Sequence, residues 1–128
     1  MERTIKIEDI IIESLIYIEW HIEDGLKPAD ISTEMNYPFK VFKQMFSNVT
    51  GMELSSYLHL RTLIEAKKEW DITNAIEVIA AKYNQHPELL IKAFKKEFGY
   101  SFFDKRNTIP NCSKLIGKEL IEAISNAA

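Results

Sequence analysis

ADISTEMNYPFKVFKQMFSNVTG, residues Ala29–Gly51, is the stretch whose reading decides the fold. It opens with a short helical segment in which Ile31 and Met35 stand four apart, and then breaks at Asn36-Tyr37-Pro38. Proline suits the first turn of a helix, where its missing N–H would have no partner anyway. From Phe39 the apolar residues Phe39, Val41, Phe42, Met45, Phe46 and Val49 recur close to the helical period. Gly51 then supplies a left-handed stop. Two helices joined by so short a break must cross steeply, as in a helix-turn-helix. No acidic residue lies between Asn36 and Met52, while Lys40, Lys43 and Gln44 fall off the apolar stripe.

The stretch recurs further on. A shift of 48 positions, with no gap, pairs Ile31 with Ile79, Asn36 with Asn84, Val41 with Leu89, Phe42 with Leu90, Phe46 with Phe94 and Gly51 with Gly99. Apolar pairs alone could coincide by chance, but Asn, Phe and Gly in one register indicate a duplicated unit. In the second copy Ile76–Tyr83 forms the short helix, Asn84-Gln85-His86-Pro87 the turn, and Glu88–Phe98 the second helix, closed by Gly99.

The remaining chain frames these two units. Ile7–Ile22 is dense in isoleucine; its length and the acidic breaks at Glu13 and Glu19 favour a core helix over a strand, with Ile11, Leu15, Ile18 and Ile22 on one face. Trp20 and Trp70 are expected in the core, although Trp20, Tyr17 or Ile12 could instead form a docking surface. Leu54–Trp70 reads as one long helix, interrupted by Asp71-Ile72-Thr73-Asn74, with Asn74 and Glu77 spaced as a capping box. A last short helical turn is predicted at Ser101–Arg106, a boundary at Ile109-Pro110-Asn111, and an amphipathic segment at Ser113–Ala127.

A chain of 128 residues is one domain's worth. Its four glycines and four prolines suit helices with short loops. Cys112 is the sole cysteine, so no internal disulfide can form, and a reducing, cytoplasmic setting fits. No eighteen-residue apolar run marks a membrane span. The net charge of −3 is unevenly spread. Residues 1–35 hold three Lys/Arg against nine Asp/Glu, and residues 36–106 hold eleven against eight. What matters for nucleic acid is the local field at the contact surface. His21, His59, His86 and Cys112 lack metal-ligand spacing, and no Gly-rich phosphate loop or nucleophile–base pair is present, so neither an enzyme nor a cofactor is expected.

These residues resemble the DNA-binding domain of the AraC/XylS family of bacterial transcription regulators over about residues 8–106. In the first half the pattern is Ile18-Glu19, Ile31, Met35-Asn36-Tyr37, Phe42-Lys43-Gln44-Met45-Phe46, Thr50-Gly51 and Tyr57-Leu58. In the second half it is Ile76-Glu77-Val78-Ile79-Ala80, then Phe94-Lys95-Lys96-Glu97-Phe98-Gly99-Tyr100-Ser101 and Arg106. The resemblance implies an all-α fold, with two helix-turn-helix units joined by a long linker helix and an extra C-terminal helix. The implied boundaries are a double helix-turn-helix domain over 1–107, with a first unit about 8–52, a linker helix about 54–71 and a second unit about 74–106; residues 108–128 form a helical tail or linker. Both second helices would address successive major-groove segments of double-stranded DNA. By position, Lys40, Lys43 and Gln44 would contact bases from the first unit, and Glu88, Ile91 and Lys92 from the second. Arg61, Lys95, Lys96 and Arg106 would contact phosphates. RNA polymerase or another regulatory protein would be a further partner, and no membrane is involved.

The chain departs from the family pattern at several points. Asn84-Gln85 replaces Gly-Phe, Pro38 a serine, Phe102 a proline, Lys105 a tyrosine, Ser32 an alanine, and Thr62 the linker arginine. With the acidic first third, these departures leave an alternative open: a protein–protein interaction module on a degenerate helix-turn-helix scaffold.

Overall fold

The computed structural model describes residues 6–105 and 115–127. Among them are seven α-helices and no strand: α1 (Ile7–His21), α2 (Pro28–Glu34), α3 (Phe39–Thr50), α4 (Leu54–Thr73), α5 (Ile76–Lys82), α6 (Pro87–Phe98) and α7 (Gly117–Ala127). A single 3₁₀ turn, Ile22–Asp24, follows α1. The all-α expectation therefore holds.

The duplication extends to individual backbone hydrogen bonds. In the first unit Asn36 N–H donates to Thr33 O at 3.1 Å and Tyr37 N–H to Ser32 O at 3.1 Å. Forty-eight residues on, Asn84 N–H donates to Ala81 O at 3.2 Å and Gln85 N–H to Ala80 O at 2.8 Å. Asn36 and Asn84 both take positive φ, 62° and 55°, a conformation that asparagine tolerates better than most side chains. Gly51 and Gly99 end α3 and α6 at φ 75° and 80°, each N–H returning to the carbonyl four residues back. The turn residues recognised in the sequence are those the backbone requires.

Each unit has its own core, and α4 contributes to both. Toward its start, Leu54, Tyr57 and Leu58 pack with Ile11, Leu15, Ile18, Ile22, Ile31, Phe42 and Phe46. Toward its end, Leu63, Ala66 and Trp70 pack with Ile79, Ala80, Tyr83, Leu90, Phe94 and Phe102. Its 20 residues make a rod of roughly 30 Å. Helix α7 lies along α1 and adds Leu120 and Ile124 to the first core. The N–H of Gly117 donates to the Tyr57 hydroxyl at 2.9 Å.

Four expectations change. The linker helix runs on through Asp71-Ile72-Thr73 and stops at Asn74, which is in the left-handed region at φ 56°. Asn74 is therefore a C-cap, and Ala75 precedes α5 without a side-chain cap, so no capping box forms. Residues Ser101–Lys105 form a hydrogen-bonded turn rather than a helix, with Asp104 N–H on Ser101 O at 3.0 Å. Finally, Trp20 is not in the core but 81% exposed. It lies about 200° round the helix from Ile18, on the side opposite the buried stripe. Ile12 and Tyr17 are half-buried against the first core, and Trp70 is buried. Arg106, Ile109-Pro110-Asn111, Cys112 and the start of the predicted tail segment lie outside the described residues.

A Cβ placed on Gly51 or Gly99 meets nothing within 4 Å, so alanine would pay only the left-handed backbone penalty. Gly51→Ala and Gly99→Ala should therefore each cost about 1–2 kcal/mol. Denaturant titration of the two variants should give similar losses, reflecting the equivalence of the two copies.

Candidate nucleic-acid interface

Helix α3 is amphipathic because Phe42 and Phe46 are buried while Lys40, Lys43, Gln44 and Asn48 are exposed. Its surface is partly organised. The Lys43 ammonium lies 5.0 Å from the centroid of the Phe39 ring, one turn earlier. Gln44 Nε2 donates to Asn48 Oδ1 at 2.9 Å, and the Ser47 hydroxyl donates to the Lys43 carbonyl at 3.1 Å. A groove runs between this face and the start of α4, with Phe39, Lys43 and Ser47 on one wall and Glu53 and Ser55 on the other. Glu53 is an acidic group facing an otherwise cationic and polar surface.

The turn that presents α3 is tightly held. Asp30 Oδ2 accepts from Lys27 N–H at 3.0 Å, closing the first turn of α2. Ser32, at the position where alanine was expected, is buried with its hydroxyl donating to Ala29 O at 3.0 Å. The polar atom is satisfied, which is why serine is accommodated there.

In α6 the repeat register places Glu88, Lys92, Lys95 and Lys96 at the positions of Lys40, Gln44, Ser47 and Asn48, and all four are exposed. Lys95 and Lys96 thus share the outward face with the expected base-contacting residues, a grouping that comparison of the two copies could have revealed in the sequence. Ile91, the counterpart of Lys43, is half-buried against the second core. Among the described residues Lys40, Lys43, Lys92, Lys95 and Lys96 form no ion pair, whereas Lys67, Lys68 and Lys82 do.

Arg61 is placed differently from its expected phosphate-contacting role. It is 6% exposed. Its Nε and a terminal nitrogen donate to the two carboxylate oxygens of Glu19, both at 2.7 Å, and the same terminal nitrogen reaches Glu65 Oε1 at 2.9 Å. This fork joins α4 to α1 and holds the guanidinium between two carboxylates. Burial disfavours its charge, but the hydrogen bonds and charges of Glu19 and Glu65 prevail and raise its pKa. For Glu65 burial raises the pKa, yet Arg61 and Lys68 outweigh it and hold the carboxyl below its ordinary value of 4.5.

Lys67 is likewise structural. Fully buried, its ammonium donates to Asp71 Oδ1 and Phe102 O, both at 2.8 Å, and to Asp104 O. It also lies 4.7 Å from the Trp70 ring centroid. This one group fastens the segment after α6 to the linker helix. Among the described residues no group of three or more His, Cys, Asp or Glu is placed to hold a metal ion. No described helix is long and apolar enough to cross a membrane.

No protein-family model matches the chain. It is 31% identical over 94 residues to the transposon Tn10 TetD protein of Escherichia coli, covering 73% of this chain and 66% of TetD. It is 33% identical over 94 residues to the HTH-type transcriptional activator AarP of Providencia stuartii, covering 72% of this chain and 70% of AarP. The matched stretch is thus about two thirds of the length of these relatives.

Removing Arg61 would strand the Glu19 carboxylate, so Arg61→Ala should cost about 3–5 kcal/mol. Arg61→Lys should recover little, because an ammonium cannot reproduce the two-pronged contact; urea denaturation measures both. Because the Glu65 pKa is depressed in the folded state, its stabilising contribution is present above the unfolded value and lost as pH falls through the folded one. The urea midpoint should drop below pH 4.5, and Glu65→Gln should flatten that part of the profile.

Proposed function

The chain belongs to the AraC/XylS family of bacterial transcription regulators, and from that premise we propose that it reads double-stranded DNA sequence-specifically. In this reading α3 and α6 enter successive major-groove segments, and the molecule acts in the cytoplasm on promoter DNA. The observation that carries it is the pairing of two turns of matching backbone geometry with two helix faces whose lysines are exposed and free of ion pairs.

Lys40, Lys43 and Gln44 are the base-contacting candidates of the first unit. Lysine donates to guanine O6 and N7, and glutamine pairs with adenine. Lys43 is partly oriented by Phe39, which lowers the entropy lost when it engages a base. In the second unit Lys92 and Glu88 are exposed, and Glu88 can accept from cytosine N4. Ile91 contributes through its exposed edge at most, by contact with a thymine methyl. Lys95 and Lys96 serve as phosphate contacts, with Arg106 beyond the described residues as a third. The burial of Arg61 argues against a phosphate-contacting role for it. We assign the reading unit to residues 1–107 and treat 108–128 as a tail whose helix braces α1.

A second surface supports a protein partner, RNA polymerase or another regulator. The exposed Trp20 stands on a helix flanked by Glu13, Glu23 and Asp24. Trp20→Ala should leave DNA affinity unchanged while lowering activation in a purified transcription assay; equal output from the variant and the parent would remove this second reading.

Selection of bound duplexes from a random pool at low salt should yield one preferred sequence. If no preference emerges, the DNA-reading proposal fails. On the selected duplex, Lys43→Ala should cost about 1–3 kcal/mol and relax preference at one base pair. Lys95→Ala should weaken binding to all sequences similarly and reduce the salt slope by about one.

A further inference from the structure

Two polar contacts cross directly between the units. The Asn84 side chain, in the turn before α6, donates through Nδ2 to the Gly25 carbonyl, in the corner after α1, at 3.4 Å. Lys82, at the end of α5, lies 3.5 Å from Glu23 Oε2, and it also pairs with Glu69 of α4. Gly25 has φ 70°, and a Cβ built there would run into Asn84 Nδ2 and approach the Lys82 carbonyl to 3.4 Å. The corner thus needs glycine for its backbone and for the close seating of the opposite turn. The residues that meet here are 59 positions apart for Asn84 and Gly25.

We propose that Asn84, Lys82 and Glu23 are positioning residues, a latch between the corner after α1 and the turn before α6 that fixes the angle between α3 and α6 and so the spacing of the two DNA segments one molecule engages. Apart from the packing at this corner, both units are built on α4, and a rod that packs a separate core at each end does not by itself fix how each core is rotated about its axis. Exposed ion pairs contribute little to stability, so the latch acts on orientation rather than on whether the chain folds. The spacing consequence rests on the DNA-reading proposal; the angular one does not.

Asn84→Gly is the informative substitution, because glycine keeps the left-handed turn and removes only the side chain. It is combined with Lys82→Gln, and Glu23→Gln serves as a milder variant that leaves the second unit untouched. Spin labels on Val41→Cys and Leu89→Cys, equivalent exposed positions of the two copies at 48% and 62%, in a Cys112→Ser background, report the distance between α3 and α6 without DNA. The parent should give one narrow distance distribution. The double variant should widen it about twofold, as expected for loss of an interdomain restraint, with a melting temperature within about 5 °C of the parent. An unchanged width overturns the latch.

A second measurement uses the selected duplex with one base pair inserted between its two segments, a displacement of about 3.4 Å. The parent should lose about tenfold in affinity and the double variant about threefold or less. Equal discrimination by both overturns the role in spacing. If the parent shows no sequence preference at all, the DNA-reading proposal falls, while the distance distributions still decide the latch.

Discussion

A single helix, α4, is the wall against which both halves are built. Leu54, Tyr57 and Leu58 close the first core and Leu63, Ala66 and Trp70 the second, so neither unit buries its apolar face without it. A helix-turn-helix alone exposes one side of two short helices, and short isolated helices are marginal in water. Sharing a rod of 20 residues solves this for both copies and separates them by a distance that the rise per residue sets.

The buried cations make that arrangement specific. Arg61 joins the rod to α1 through Glu19 and to its own next turn through Glu65. Lys67 joins it to the turn after α6 through two backbone carbonyls. Each cation has more than one acceptor, and removing the cation would leave those partly buried acceptors without their donor. The chain therefore divides its positive charge by role. The linker's buried cations hold helices together, while the lysines of α3 and α6 are exposed and, among the described residues, form no ion pair. A modest total of positive charge is then compatible with a DNA-facing surface, because the field that matters is local.

The two copies have diverged unequally. Their turns still match hydrogen bond for hydrogen bond, because left-handed Asn and Gly positions admit few replacements. Their outward faces differ: Lys40 against Glu88, Lys43 against Ile91, Ser47 against Lys95. The first face is polar near its start and the second carries its lysines toward its end. Surface positions carry little packing constraint, so recognition can change while the scaffold stays.

The helices, the turns and the duplication were legible from the chain alone, since helical periodicity, αL residues and caps depend on neighbours within a few positions. The outward placement of Lys40, Lys43 and Gln44 followed from the same periodicity, whereas Glu88 and Lys92 were named through the family resemblance. Local reasoning ended the linker helix three residues early and gave Asn74 the wrong end of a helix, because asparagine as a residue type suits both an extended N-cap and a left-handed C-cap. Tertiary structure alone decided that Arg61 is a buried clasp, that Trp20 faces solvent, that Ile91 leans on a core, and that Asn84 meets Gly25. Each of those outcomes depends on which distant element packs across the residue, and no property of a residue's near neighbours in sequence specifies that.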